Sequence, residues 1–204
     1  MNSFLKYELW IALIAFMIYF CMGGPEHWYC DYIYTYVLCN LKFTQLAATN
    51  LLSAFWASFT LGRATGIFIS AKLKPRTIVF MNAITATTCF FIMYVTSLTG
   101  SDAIDTISWI ISIVIPFAYS STFAAGISWI SEYISVTGFY AFFIGTGNFS
   151  GQAITPLGAT LVETNAQLWF LSGGIYSSGV IIFSVVLLTL GTKLRSLHKN
   201  SNLE

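Results

Sequence analysis

The stretch Ser58–Arg76, "SFTLGRATGIFISAKLKPR", decides what kind of protein this is. It carries an arginine, Arg63, inside an apolar run, and the next charge is Lys72, nine residues on. In a helix rising about 1.5 Å per residue, that separation is roughly 13 Å. A charge at mid-membrane costs about 2.5–3.5 kcal/mol on insertion scales, so charges kept there face a cavity or a partner. Upstream of Arg63, the residues Thr49, Ser53, Trp56 and Thr60 recur at spacings of four and three. Such spacing puts all five on one helix face. Two readings of that stripe stay open: the lining of a polar pathway, or a seam where hydroxyls hold one helix to another.

Composition makes the membrane reading general. Of 204 residues, 56% are hydrophobic and 8% are charged. A soluble domain carries about 25% charged residues. The net charge of +1 gives no footing for nucleic acid. The 18 Phe, 11 Tyr and 6 Trp suit a chain that crosses bilayer interfaces, where Trp and Tyr collect. The four cysteines (Cys21, Cys30, Cys39, Cys89) show no metal or redox spacing and read as inert apolar thiols. No metal site and no cofactor is expected.

A spanning helix needs about 20 apolar residues. Six stretches qualify: 9–38, 46–71, 77–98, 107–130, 138–161 and 168–190. The first is over-long, and Gly23-Gly24-Pro25 is expected to interrupt it. The linkers are short, so the chain reads as one six-helix bundle, all-α and polytopic. Charge supports the map. Lys6, the group Lys72, Lys74 and Arg76, and the group Lys193, Arg195 and Lys199 all fall on one side of a six-span weave. Asp102, Asp105 and Glu163 fall on the other, with Lys42 the one basic residue there. The positive-inside rule makes the basic side cytoplasmic and puts both termini inside. With no retention or lipidation signal, the plasma membrane is the default. The start of the chain lacks the small-x-small site of a cleaved signal peptide. The Asn148-Phe149-Ser150 sequon lies inside a span, out of reach of glycosylation.

Other polar residues inside the spans mark candidate sites. Asn148 and Gln152 share a face with Gly145 and Thr155, and two amides one turn apart can grip a hydroxyl-rich solute or bond to a neighbouring helix. Gly147 and Gly151 form a small-xxx-small pair, the pattern of close helix packing. Glu26 follows the Gly-Gly-Pro and reads either as a cation or sugar site or as a wetted residue below an aromatic belt, "WYCDYIYTY". Glu132, at the end of the fourth span, is the acid available to Arg63 or to the Lys72–Arg76 loop, unless it is simply solvated. Pro116 in the fourth span echoes Pro25 in the first. Paired interruptions of this kind suggest two three-helix units in inverted topology.

"FWASFTLGRATGIFISAKLKPR", "STFAAGISWISEY" and "FIGTGNFSGQAITP" together resemble the major facilitator superfamily, in its fucose-permease-like branch. The similarity covers essentially the whole chain but only the C-terminal half of such a transporter, six of the usual twelve helices. It implies half a major facilitator fold with a 3+3 inverted repeat, working by alternating access beside a second six-helix bundle. Arg63, Lys72, Lys74, Arg76 and Glu132 then correspond to a cytoplasmic gate and charge network, and Glu26, Trp56, Asn148 and Gln152 to candidate solute contacts. The implied function is secondary transport of a hexose or similar polyhydroxy solute, with Na⁺ or H⁺ as candidate coupling ion. A different reading is a non-transporting form that acts only as a packing module in the bilayer. No catalytic residue is expected, because His27 and His198 are the only histidines and neither faces a serine in the spans.

Overall fold

A computed structural model describes residues 3–100 and 103–201, with side chains over 7–100 and 103–194. Asp102 lies outside the described residues, as do the side chains of Lys6, Arg195, His198 and Lys199. Eight helices and no strand stand among the described residues: α1 (Ser3–Cys30), α2 (Ile33–Cys39), α3 (Gln45–Ser70), α4 (Pro75–Thr99), α5 (Ile104–Ile130), α6 (Gly138–Gln152), α7 (Pro156–Thr164) and α8 (Ala166–Ser201). Since α2 continues α1 and α7 continues α6, they make six rods.

Local chemistry sets several ends. Thr44 caps α3 by accepting from the Ala47 N–H at 3.2 Å, as an N-cap hydroxyl does for an orphan donor. Pro75 opens α4, where its missing N–H costs nothing. Gly100 closes α4 at φ 58°, the left-handed conformation glycine adopts freely. Lys42 also sits at φ 58°, and its Nζ donates to the Cys39 carbonyl at 2.6 Å. The one basic residue on the acidic side of the weave thus completes the end of α2.

The breaks differ from the sequence expectation. Gly23-Gly24-Pro25 does not interrupt the first rod, since α1 runs unbroken through Pro25. The two glycines serve close packing instead. A Cβ on Gly23 would stand 2.5 Å from the Asn148 carbonyl, and one on Gly24 would collide with the Tyr176 ring. The rod breaks later, at Asp31-Tyr32, where the Tyr32 N–H turns to the Tyr29 carbonyl. Pro116 likewise lies inside a continuous α5. The fifth predicted span, by contrast, is broken at residues 153–155. Pro156 has no N–H, and the chain around it tightens to i−3 bonds: Thr155 to Gln152 (2.9 Å), Leu157 to Ile154 (3.0 Å) and Gly158 to Thr155 (2.8 Å).

Four rods are long and apolar enough to cross a membrane: Tyr7–Cys39, Pro75–Thr99, Ile104–Ile130 and Ala166–Leu194. With 26 residues, α3 has the length but is diluted by its polar stripe. The sixth rod is split into pieces of 15 and 9 residues.

Packing follows a definite order. α1 packs against α6 and α8, α5 packs against α3 and α4, and α4 packs against α8. Between helices in lipid there is little hydrophobic driving force, so close approach and interhelical hydrogen bonds hold the bundle. Gly147 and Gly151 supply the first on α6: a Cβ on either would meet a carbonyl of α1, that of Phe16 or of Phe20. Gly62 and Gly66 do the same on α3 against Phe117, Ser120 and Ser121 of α5. The aromatic run read as an interfacial belt is largely core. Trp28, Tyr29 and Tyr36 are buried, and Tyr29 stacks between Phe55 and Trp169 at centroid distances of 6.0 and 6.1 Å.

Candidate functional site

The two faces of α3 separate cleanly. Leu51, Phe55, Ser58, Gly62 and Gly66 are buried, and the Ser58 hydroxyl donates to the Ile113 carbonyl of α5 at 2.6 Å. On the opposite face Thr49, Ser53, Trp56, Thr60 and Arg63 are all exposed. The seam with α5 is therefore the glycine face, and among the described residues no helix covers the polar stripe. Thr49, Ser53 and Thr60 each donate to a carbonyl one turn back, at 2.9 Å. This satisfies their protons within the helix and leaves oxygen lone pairs facing outward, able to accept from a solute hydroxyl.

Arg63 lies with its guanidinium 4.5 Å from the centroid of the Phe59 ring, a cation–π arrangement. Trp56 meets Phe59 edge-on at 5.8 Å. Beside the stripe, Arg63, Ser70, Ser120, Ser121 and Ser128 line a cavity of about 420 Å³ between α3 and α5.

Glu26 is half-buried on α1. Arg63 is the cation whose field reaches its carboxylate, and Tyr119 of α5 lies within reach of the same group. Arg63 thus stands near Glu26. α3 and α5 run parallel, in a register that sets Ser58 beside Ile113 and Gly66 beside Ser121. Glu132 then falls about fourteen residues past the level of Arg63, roughly 21 Å along the axis. Lys72, Lys74 and Arg76 are exposed around the tight turn between α3 and α4.

On α6, Asn148 and Gln152 are half-buried, and neither amide has a hydrogen-bonding partner among the described residues. Asn148 backs onto Gly23 of α1. Gly145 has open space where a Cβ would stand, and Thr155 is buried. The four residues that share a face in sequence therefore divide at the Pro156 break.

A buried hydroxyl network was not singled out from sequence. Tyr119 and Ser177 share a hydrogen bond of 2.8 Å, and Thr87 donates to Ser177 at 3.2 Å, tying α4, α5 and α8 together. Tyr29 and Ser112 pair at 2.8 Å. Asn82 donates to Ser121 (3.1 Å) and Thr122 (3.0 Å). Only the polar run Tyr119–Thr122 gave a sign of it in the sequence. The four cysteines are free thiols, with Cys39 the exposed one.

Comparison with known proteins meets this geometry. The mouse sodium-dependent glucose transporter 1A is 29% identical over 152 residues, 74% of this chain and 34% of that protein. The rat sodium-dependent glucose transporter 1 is 31% identical over 134 residues, 65% of this chain and 26% of that protein. Major facilitator superfamily domain-containing protein 4A of Xenopus tropicalis is 26% identical over 198 residues, 94% of this chain and 37% of that protein. The resemblance to the major facilitator superfamily stands. The chain spans about a third or less of the length of the first of these curated relatives. No family model matches, and no solved structure matches. The chain, similar in sequence to these proteins, combines helices long and apolar enough to cross a membrane with a polar stripe on α3 that no helix covers among the described residues.

Proposed function

We propose that this chain is one six-helix half of a secondary transporter for a hexose or similar polyhydroxy solute, with a second six-helix bundle facing α3. The observation that carries the proposal is the α3 face. A hydroxyl stripe ending in Arg63 is exposed, with no helix covering it among the described residues, and lipid is a costly surface for a cation. Water, solute and a partner bundle are the environments that suit it. The sequence relatives named as glucose transporters favour a hydroxyl-rich solute, as do Trp56 beside the stripe and the unengaged amides of Asn148 and Gln152. In this reading Glu26 and Arg63 form the central charge pair, and Glu132 with Lys72, Lys74 and Arg76 forms the cytoplasmic charge layer. Na⁺ or H⁺ couples the transport, and both termini lie in the cytoplasm of a plasma-membrane protein.

The packing order supports the inverted repeat. Take α1–α4 as one unit and α5–α8 as the other. The second rod of each unit lays a glycine pair on the first rod of the other unit, Gly62/Gly66 on α5 and Gly147/Gly151 on α1. The third rods, α4 and α8, pack on each other. Exchange of this kind is what a pseudo-two-fold axis relating two three-rod units produces, and an odd number of crossings puts that axis in the membrane plane.

The test is radiolabelled hexose uptake by cells expressing the chain in its full native context. Arg63→Leu is expected to abolish uptake while surface expression holds, and Arg63→Lys to retain part of it. Uptake undiminished in Arg63→Leu would overturn the role of Arg63. No uptake of any hexose by the unmodified protein, under either a Na⁺ or a H⁺ gradient, would favour the non-transporting reading.

A further inference from the structure

A cavity of about 510 Å³ stands at the end of the bundle away from the Lys72–Arg76 turn, where α2, α4 and α7 finish. The C-cap residues of these three helices, Asn40, Gly100 and Asn165, all line it. We propose that this cavity is a second, outer binding site for a polyhydroxy solute, with Tyr36, Glu163 and Asn165 holding the solute hydroxyls. The class of solute rests on the transport reading above; the site itself rests on the geometry.

Tyr36 carries the argument. It is 2% exposed, and its hydroxyl has no hydrogen-bonding partner among the described residues. Its ring packs on α8, against Trp169 at 5.7 Å and Phe170 at 4.8 Å between centroids. The residue also lines the cavity. A buried hydroxyl without a partner is costly to a fold, and one kept at a cavity wall is open to a ligand. Two carboxylates stand close by. Glu163 lines the cavity at the end of α7, and Asp105 of α5 is near enough for its charge to act on the Tyr36 hydroxyl.

The amides complete the set. Asn165 uses its Oδ1 to accept from the Leu168 N–H at 3.2 Å, which leaves its Nδ2 protons free to donate. Gln167 donates its Nε2 to the Ser97 carbonyl at 3.2 Å, which leaves its Oε1 free to accept. A sugar hydroxyl both donates and accepts, so it matches donor, acceptor and carboxylate alike. Leu41, Ile104 and Val162 add an apolar wall for the C–H face of a sugar ring. The volume falls within the roughly 300–1,000 Å³ of small-molecule sites. Other ligands fit less well. Lys42, the basic residue at this end, has its Nζ on the Cys39 carbonyl, so no cation lines the cavity for an anion. Among the described residues, no group of three His, Cys, Asp or Glu side chains could hold a metal ion. The site is also distinct from the α3 stripe's cation. Gln45 opens α3 near this end, and Arg63 lies eighteen residues further, about 27 Å along the axis.

The experiment uses cells expressing the chain in its full native context, with Cys39→Ala and Asn40→Cys as the reporter at the cavity wall. A membrane-impermeant maleimide is applied outside, and labelling of residue 40 is read by peptide mass spectrometry. D-Glucose is expected to slow that labelling saturably, and to do so equally when Arg63→Leu is added. Tyr36→Phe deletes a hydroxyl that bonds to nothing in the protein, so the fold should hold while the glucose concentration needed for protection rises about fivefold. Glu163→Gln should raise it tenfold or more, since a bond to a charged group is lost. Hexose uptake by the same cells separates this site from the transport reading. Uptake without protection would overturn the outer site and leave that reading standing, whereas protection without uptake would do the reverse. Four other results would also defeat the proposal: no labelling of residue 40, protection that vanishes with Arg63→Leu, protection unchanged in both Tyr36→Phe and Glu163→Gln, or protection by tetramethylammonium in place of D-glucose.

Discussion

α3 and α6 are the second rods of the two units, and each rests a glycine pair on the first rod of the other. Their free faces are opposite in character. α3 is one continuous helix whose free surface carries a stripe of hydroxyls and Arg63, flanked by exposed Leu61, Ile67 and Phe68. α6 stops after 15 residues, and its exposed side chains include Phe139, Phe142 and Phe149. The same packing role therefore comes with two different surfaces: a polar stripe on α3 and exposed phenylalanines on α6.

The seams also differ in how far they can yield, which gives the largest expected effect. At α6 the obstacle to a side chain is backbone: Gly151 lies against the Phe20 carbonyl and the Gly24 nitrogen. At Gly66 of α3 one atom is too close, the Ser121 Cβ at 2.8 Å, and the next lies at 3.8 Å. Overpacking costs about 1–3 kcal/mol, occasionally more, and rises with the number of atoms that must shift. Gly151→Ala is expected at about 3 kcal/mol and Gly66→Ala at about 1 kcal/mol. Equilibrium unfolding of the purified chain in mixed micelles measures both. Equal costs would erase the distinction between the seams.

The free faces can be sorted by access. In a Cys39→Ala background, Ser53→Cys on α3 is expected to react rapidly with a membrane-impermeant maleimide, and Phe142→Cys on α6 to resist it. A slow Ser53→Cys would mean lipid or a tight dry interface lies on α3. That result would count against a polar pathway there.

Smaller effects are expected inside the bundle. Interhelical hydrogen bonds in membranes average about 0.6 kcal/mol and reach about 1.7. Tyr119→Phe leaves Ser177 with Thr87 and should cost about 0.6 kcal/mol. Ser177→Ala strands both Tyr119 and Thr87, so its cost should approach 1.7 kcal/mol. The same unfolding assay decides, and a reversed order would place the strength of the network outside Ser177.

What the sequence revealed depended on whether the signal was periodic. The stripe from Thr49 to Arg63 was legible because helical spacing alone places five residues on one face. Gly147 and Gly151 were legible as a packing pair for the same reason. Gly62 and Gly66 have that spacing too, but they lie beside Arg63, whose charge is the louder feature. The prolines misled. Pro25 and Pro116 stay inside helices, while at Pro156 the freed Gln152 carbonyl accepts from the Thr155 N–H and the chain tightens to i−3 bonds. The Ser177 cluster was out of reach, since its partners lie 58 and 90 residues away in the chain. The nearness of Arg63 to Glu26 was not legible either, because chain order does not display the register between helices.

The smallest expected effect is also the sharpest check on the α3 face. Thr60 is exposed, and its hydroxyl returns to the Trp56 carbonyl of its own helix at 2.9 Å. Removing it takes away no contact with another helix, so Thr60→Ala should change stability by less than about 0.5 kcal/mol. Solute handling is another matter. If the stripe accepts hydrogen bonds from a polyhydroxy solute, losing one acceptor should raise the KM for uptake several-fold with kcat little changed. A stability cost well above that bound would instead mean that Thr60 is packed against something, and the polar face would then be a seam with a partner bundle rather than the wall of a pathway.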